Sequence, residues 1–182
     1  FLSLKVGGHL VKLDCSREET FVANRVRHGI KFHIISHVRK DGTYAARKIE
    51  IFSNQGGYAS HGHSIAAKGL GCFPQLYPCD NIEGDAYTIF TNRPVAGAMR
   101  GYGIPQAMFA VESHTEDVAK IMGIPSIEFR LKNLMPVGFK DGFSKNVNYY
   151  DTFRQCIEKG KAYMDYDNKL KEYSNQTGRI RK

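Results

Sequence analysis

The residues best placed to do chemistry stand in the stretch GAMRGYGIPQ at positions 97–106. Gly97, Gly101 and Gly103 have no side chain to hold a ligand away from the backbone. The stretch runs into a helix opened by Pro105, where free N–H groups and the helix dipole favour an anion or an electron-rich oxygen. Arg100 adds a permanent positive charge at the same place. Tyr102, between two glycines, can present its ring to a flat ligand. Together these residues suit an anion or oxo site with an aromatic wall. The same glycines also suit a plain strand-to-helix connection with Tyr102 as a core aromatic, and a Gly-rich loop alone does not choose between the two.

Other candidates make weaker constellations. His61 and His63 flank Gly62, but no third nitrogen or carboxylate stands at ligand spacing, so both are read as surface histidines. His33 and His37 share one face of an expected strand and are read as structural. Ser60 and Ser64 lack the Gly-x-Ser-x-Gly turn of a hydrolase nucleophile. Glu112 and Glu116 lie one helical turn apart, a spacing that can bind a metal but that also marks a solvated helix face, the reading preferred here. Cys15, Cys72, Cys79 and Cys156 show no two-to-four residue spacing. They read as thiols of a reducing compartment, which makes the cytoplasm the expected location.

Several elements must position the Gly-rich loop. Residues 9–14 read as a short strand, and Ser16 with Glu19 forms a capping box for a short helix. Alternation from 29 to 38, a turn at Lys40, Asp41 and Gly42, and a second strand over 43–53 predict a long antiparallel hairpin. In that second strand Lys48 and Glu50 face one way and Ile49 and Ile51 the other. Residues 54–63 read as a Gly-rich loop, 64–70 as a weak helix, FPQLYPCDN as irregular and 82–90 as a strand. A helix opened by Pro105 and closed by Gly123 follows, with Ala107, Val111, His114, Val118, Ile121 and Met122 on its inner face. A second helix starts at Pro125 with Ile127, Leu131 and Leu134 inward. A loop covers 137–149, and Phe153, Cys156, Ile157, Gly160 and Met164 mark a third helix. The class is α+β: an antiparallel sheet with a long hairpin, followed by helices.

Composition excludes several classes. The chain has 182 residues, 42% of them apolar, enough for a packed domain and too many for disorder. No apolar run approaches a membrane span. Lys and Arg exceed Asp and Glu by 26 to 18, a net charge of +8. Lys169, Lys171, Arg179, Arg181 and Lys182 form the best basic cluster, yet no nucleic-acid signature accompanies it. Neither nucleic acid nor membrane is an expected partner. With no initiator Met and no leader, the chain reads as a piece of a longer protein.

The stretch TNRPVAGAMRGYGIPQAMFAVESHTEDVAKIMGIPSIEFRLKNL resembles the molybdenum-binding subunit of molybdenum hydroxylases, the xanthine dehydrogenase and aldehyde oxidase family. It carries the family's Thr-Asn, Gly-Ala, Arg-Gly-aromatic-Gly, Pro-Gln and Arg-x-x-Asn elements in order. REETF, RVRHG and KDGTYAARKIEIFSNQGGYAS extend the likeness upstream, and NQTGRIRK extends it to the end. The resemblance implies that 1–136 is part of a first molybdopterin-binding domain, and that 137–182 leads by loop and helix toward an absent second one.

It further implies a molybdenum–molybdopterin cofactor approached by Ala98, Met99, Arg100 and Gly101, with the Arg100 backbone on the molybdenum side. Tyr102 takes the place of the aromatic that stacks on a heterocyclic substrate. Lys68 falls where purine-oxidising members carry an arginine that holds a substrate oxygen, and a point charge without the bidentate fork leaves the substrate open. The implied reaction is hydroxylation of a purine, a related N-heterocycle or an aldehyde with oxygen from water. Electrons would leave through iron–sulfur clusters to FAD and NAD on other domains or subunits. The family's catalytic glutamate segment and its GGxFGGK loop do not occur, so the chain is expected to hold no catalytic residue and to be inactive alone. The contrasting reading is a stand-alone anion or nucleic-acid binding module.

Overall fold

The computed structural model describes residues 1–142 and 145–174. Arg179, Arg181, Lys182 and the whole of NQTGRIRK lie outside them. The fold is built on the expected hairpin, in which β1 (Ile30–Val38) pairs antiparallel with β2 (Tyr44–Gly56). Its alternation sets the core: Ile49 and Ile51 are fully buried while Lys48 is exposed. Continued along β2, the same period buries Arg47, Ser53 and Gln55. The Arg47 guanidinium sits over the rings of Tyr44 and Phe73, at 4.8 and 5.4 Å from their centroids. One of its nitrogens donates to the Phe73 and Tyr77 carbonyls at 3.1 and 3.0 Å. Burial lowers its pKa, and the cation lies where a helix end leaves carbonyls without amide partners.

That helix is α3 (Gly62–Leu76), and β3 (Asn81–Phe90) follows it. The α+β class holds, but β3 runs parallel to β2, so the three-stranded sheet is mixed and not the all-antiparallel sheet expected. The cause is the connection: a helix of 15 residues between β2 and β3 makes a β–α–β crossover. The expected short helix over 64–70 is this longer element, and much of FPQLYPCDN belongs to it. Gly69, Gly71 and Pro74 lower its intrinsic propensity, and burial of Ile65, Ala66, Cys72 and Phe73 overrides them. Pro74 stands near the C-terminal end, where little helix remains to be disturbed.

On the same face lies α4 (Ile104–Met122), ending at Gly123 in the left-handed conformation. Its buried stripe is Ala107, Val111, Thr115 and Ala119; Ala107 and Val111 are buried as expected, Val118 and Met122 pack against the core at its margin, His114 is half-buried, and Ile121 is 84% exposed. Small residues every fourth position let α4 lie close to α3, where Gly69 faces Ala107. The short α5 (Ser126–Asn133) buries Phe129 and Asn133, leaving Ile127 and Leu131 half-buried. Asn133 ties it to the hairpin: its amide oxygen accepts from the Tyr44 N–H at 2.8 Å, and its amide nitrogen donates to the Gly42 and Phe129 carbonyls.

Both ends depart from expectation. Residues 9–14 form no strand; α1 (Leu2–Lys5) precedes them and α2 (Arg17–Ala23) follows, capped by Ser16 and Glu19 as predicted. No partner strand lies beside 9–14, and an unpaired strand leaves its backbone groups unsatisfied. Every residue from 1 to 24 is exposed. The third predicted helix is α6 (Thr152–Met164), followed by α7 (Tyr166–Ser174), and neither buries a residue. Among the described residues no helix is long and apolar enough to cross a membrane.

Asn133→Ala strands the Tyr44 N–H and the Gly42 carbonyl in a buried site, and it should destabilise the protein by about 2 kcal/mol in urea unfolding. Stability should also fall with acid. His28 and His114 are held below the usual histidine pKa by burial, opposed in part by a hydrogen bond to Asn54 and by Asp117. Below about pH 6.5 the unfolded chain binds protons that these folded histidines resist, so stability rises with pH through that range. Urea midpoints measured from pH 7.5 down to 5.5 should decline, and His28→Asn should flatten the decline.

Candidate functional site

The site grows from the C-terminal end of β2. There the Gln55 carbonyl accepts from Ala96, the Gly56 carbonyl from Thr91, and the Gly57 N–H donates to Arg93. These bonds lay residues 91–97 along the end of the strand. Residues 25–28 add a second rail: Val26 donates to Val95 and accepts from Gly97, both at 3.0 Å. Gly97 is buried with the Arg25 side chain directly against it. The chain is then released into the exposed run Ala98, Met99, Arg100 and Gly101.

The run closes through tight turns. Tyr102 N–H donates to Met99 at 2.8 Å and Ile104 N–H to Gly101 at 3.0 Å. Gly101, Tyr102 and Gly103 all have positive φ, at 91°, 51° and 90°. For Tyr102 this conformation costs roughly 1 kcal/mol or more. At Gly103 a Cβ would lie 2.6 Å from the Ile65 carbonyl oxygen of α3, so only glycine fits the approach. Within 98–101, none of the four backbone N–H groups donates to a protein acceptor among the described residues. Arg27 holds the run from outside: its guanidinium donates to the Arg100 carbonyl at 2.8 Å and to the Gln106 side-chain oxygen at 3.4 Å. Gln106 in turn donates to the His28 carbonyl at 2.9 Å.

Tyr102 is not a core aromatic. Its hydroxyl lies 2.8 Å from Nδ1 of His61, with the two rings edge to face at 6.0 Å. His61 thus has a partner that its spacing did not announce, and Arg27 is a second residue missed. RVRHG and PQ were legible as motif elements, but only the fold shows that Arg27 bridges Arg100 and Gln106. Lys68 is exposed on α3, two turns beyond His61. It lines a cavity of about 640 Å³ with Cys72, Gln75, Ile104, Met108 and Phe153, which neither Arg100 nor Tyr102 lines. Lys68 is therefore next to the start of α4 but not in the cluster around Tyr102.

The remaining candidates disperse. His33 is paired with Glu50 at 2.9 Å on the outer sheet face, and His37 and His63 are exposed. Glu112 and Glu116 do not form a free solvated face: Arg130 bridges them at 2.8 and 2.9 Å, and the Tyr77 hydroxyl donates to Glu112. Burial and the Glu112 charge push the Tyr77 phenol far up. All four cysteines are free thiols. Among the described residues no three His, Cys, Asp or Glu side chains are arranged to hold a metal ion directly.

What the loop offers is donors. Four exposed amides and the Arg100 charge suit an oxygen-rich, electron-dense group that brings its own metal. Behind them, Gln55 Oε1, Ser60 Oγ and His28 Nε2 are buried without a partner. The residues present therefore fit a molybdopterin cofactor, with the backbone of Ala98, Met99, Arg100 and Gly101 as the part that would hold it.

Comparison with known proteins agrees. Residues 1–134 match the model of the molybdopterin cofactor-binding domain. The whole chain is 41% identical to a putative xanthine dehydrogenase molybdenum-binding subunit of Escherichia coli, and covers 24% of that subunit. Over 86% of the chain it is 32% identical to the nicotinate dehydrogenase large molybdopterin subunit of Eubacterium barkeri, of which it covers 38%. The fold superposes on quinoline 2-oxidoreductase of Pseudomonas putida with a TM-score of 0.78 at 18% identity, over 95% of this chain and 23% of that one. Aldehyde oxidoreductase of Desulfovibrio gigas gives 0.74 at 24% identity, over 89% and 18%. The chain spans about a quarter of the length of the curated xanthine dehydrogenase relatives it matches. With the Arg-Gly-Tyr-Gly loop folded as an exposed row of amide donors, and that match along residues 1–134, the chain belongs to the molybdopterin cofactor-binding domain family.

Proposed function

We propose that this chain forms one wall of the active site of a molybdenum hydroxylase acting on a purine or a related N-heterocycle. The observation that carries the reading is the row of unpaired backbone amides at 98–101, ending in a tyrosine held in a left-handed conformation. When bound, the molybdopterin cofactor supplies the redox chemistry that inserts oxygen from water, and iron–sulfur clusters and FAD elsewhere in the full protein carry the electrons away. The chain's own residues do simpler work. Amides of Ala98, Met99, Arg100 and Gly101 would hold the cofactor by donating to its oxygen atoms, and Arg27 fixes the turn by holding the Arg100 carbonyl. Tyr102 forms a flat wall for the substrate ring, and Lys68, outside the Tyr102 cluster, gives the adjoining cavity beside the start of α4 a positive charge that an oxygen or carboxylate reaching into it would meet.

The substrate class rests on the aromatic wall of Tyr102, with Lys68 as a charge in the adjoining cavity and not as its direct partner. The relatives described above include a putative xanthine dehydrogenase, a nicotinate dehydrogenase and an aldehyde oxidoreductase. An aldehyde needs no cation at the far edge, whereas an oxopurine or a pyridine carboxylate does. Residues 1–136 would then act as part of a first molybdopterin-binding domain, with 137–182 leading toward a second one. The exposed apolar residues of the N-terminal arm, among them Leu10, Leu13 and Phe21, would face the rest of the molybdenum-binding subunit.

Two substitutions in the full-length enzyme separate the roles. A Cβ at Gly101 would come within 2.6 Å of the Pro105 ring in a backbone that L side chains rarely adopt. Gly101→Val should therefore displace the amides and lower molybdenum content, measured by metal analysis. Tyr102→Ala should leave molybdenum content intact and reduce kcat/KM; equal metal loss in both would refute the assignment. Lys68→Met should raise KM for xanthine or nicotinate about ten- to a hundredfold, as for a lost charged hydrogen bond, and leave an aldehyde's KM unchanged.

A further inference from the structure

Resting on the reading of Tyr102 as a substrate wall, we infer that His61 is a positioning residue for that wall. It fixes the plane of the Tyr102 ring and so sets how tightly a flat heterocycle is held.

The inference starts from the contacts that hold the half-buried Tyr102 ring. Tyr102 lies between two positive-φ glycines, and its neighbours Arg100, Gly101 and Pro105 are exposed. The backbone turn fixes where the side chain leaves the chain, but two rotatable bonds still separate that point from the ring face. The contacts that fix those bonds are the 2.8 Å hydrogen bond from the hydroxyl to His61 and the edge-to-face packing of the two rings at 82°. The bond survives either tautomer. A phenol donates to an unprotonated Nδ1, and a protonated Nδ1 donates to the phenol oxygen.

His61 is itself well anchored, which a positioning residue must be. It immediately precedes α3, and its carbonyl accepts the first helical bond, from Ile65, at 3.0 Å. The next residue, Gly62, is buried where a Cβ would overlap the Gln55 side chain and lie 2.9 Å from Thr88. The backbone of His61 is therefore set by the ends of β2 and β3. Gly103, on the other side of Tyr102, is set by its approach to Ile65 one turn into the same helix. Partner and ring are both referred to α3, so their mutual geometry does not depend on the exposed loop. A strained non-glycine backbone persists only where surroundings over-determine it, and this bond is the side-chain part of that determination.

The test uses the full-length holoenzyme with xanthine and nicotinate as probes. His61→Leu should raise KM about fivefold with kcat changed less than twofold and molybdenum content unchanged, the size of one hydrogen bond. Tyr102→Phe, which keeps the ring and loses the hydroxyl, should match it, and the double variant should be no worse than either single one. His61→Asn, which retains a polar group near Nδ1, should restore most of the loss. A second readout is independent of turnover: fluorine NMR of 3-fluorotyrosine at position 102 should give one ring environment in the parent and an averaged or split signal in His61→Leu. Additive effects in the double variant, or an unchanged fluorine signal, overturn the inference. If Tyr102→Ala impairs kcat/KM while His61→Leu leaves both readouts unmoved, the His61 role alone falls; if Tyr102→Ala is itself neutral, the substrate-wall reading falls and takes His61 with it.

Discussion

Much of this structure depends on one close approach, the Gly103 backbone lying against the carbonyl of Ile65 with no room for a Cβ. It seats the start of α4 on α3 and brings Ala107 opposite Gly69, and further along α4 Thr115 meets the Tyr44 hydroxyl of β2 at 3.2 Å. Because α3 is the crossover between parallel strands, the same approach refers the loop to the sheet. Tyr102 arrives beside His61 for that reason and not by an affinity of its own. A larger residue at 103 would move loop, helix and ring together, since close-packed interiors transmit displacement and do not absorb it.

The second organising fact is which hydrogen bonds are made and which are left open. Turns away from the site close on themselves: Gly42 donates to Arg39, Gly123 to Lys120, Asp165 to Ala162. Residues 91–97 are likewise tied, to the end of β2 and to Val26. Only then does the backbone present open amides at 98–101, and Arg27 takes the Arg100 carbonyl so that the turn shows donors to one side. A folded chain satisfies its buried backbone groups almost without exception. A row of unpaired donors on a strained turn is solvent-facing by design of its surroundings, and its natural complement is electron-rich oxygen.

The sequence made much of this legible. The hairpin, the capping box of Ser16 and Glu19 and the Pro105-to-Gly123 helix follow from local rules, because alternation, caps and breakers act within a few residues. The loop's donors and the outward Tyr102 were readable from Gly spacing together with the family motif. Other features depended on partners distant in the chain. Parallel pairing of β3 required the helical crossover to be recognised through Gly69, Gly71 and Pro74, which argue against it locally. Arg47 was legible in part: the alternation that turns Ile49 and Ile51 inward turns residue 47 inward too, but its charge argues otherwise until the rings of Tyr44 and Phe73 and the carbonyls at the end of α3 surround it. Glu112 and Glu116 were invisible as a pair because Arg130, which joins them, lies on another helix.

Arg47 also shows why the site can afford its strain. A buried cation without a carboxylate is costly, and here carbonyl oxygens and aromatic faces offset the cost by drawing the C-terminal end of α3 onto β2. At the other end of the same helix, Gly62 is pressed against Gln55 of the same strand. Helix α3 is thereby clamped to β2 at both ends, and β2 is the strand whose inward residues are most deeply buried. A left-handed tyrosine costs on the order of 1 kcal/mol, and a free loop would relax to avoid it. Attached to a helix fixed at two points, the loop has no softer neighbour into which to relax, so the strain is retained as geometry at the place where a ligand would meet the chain.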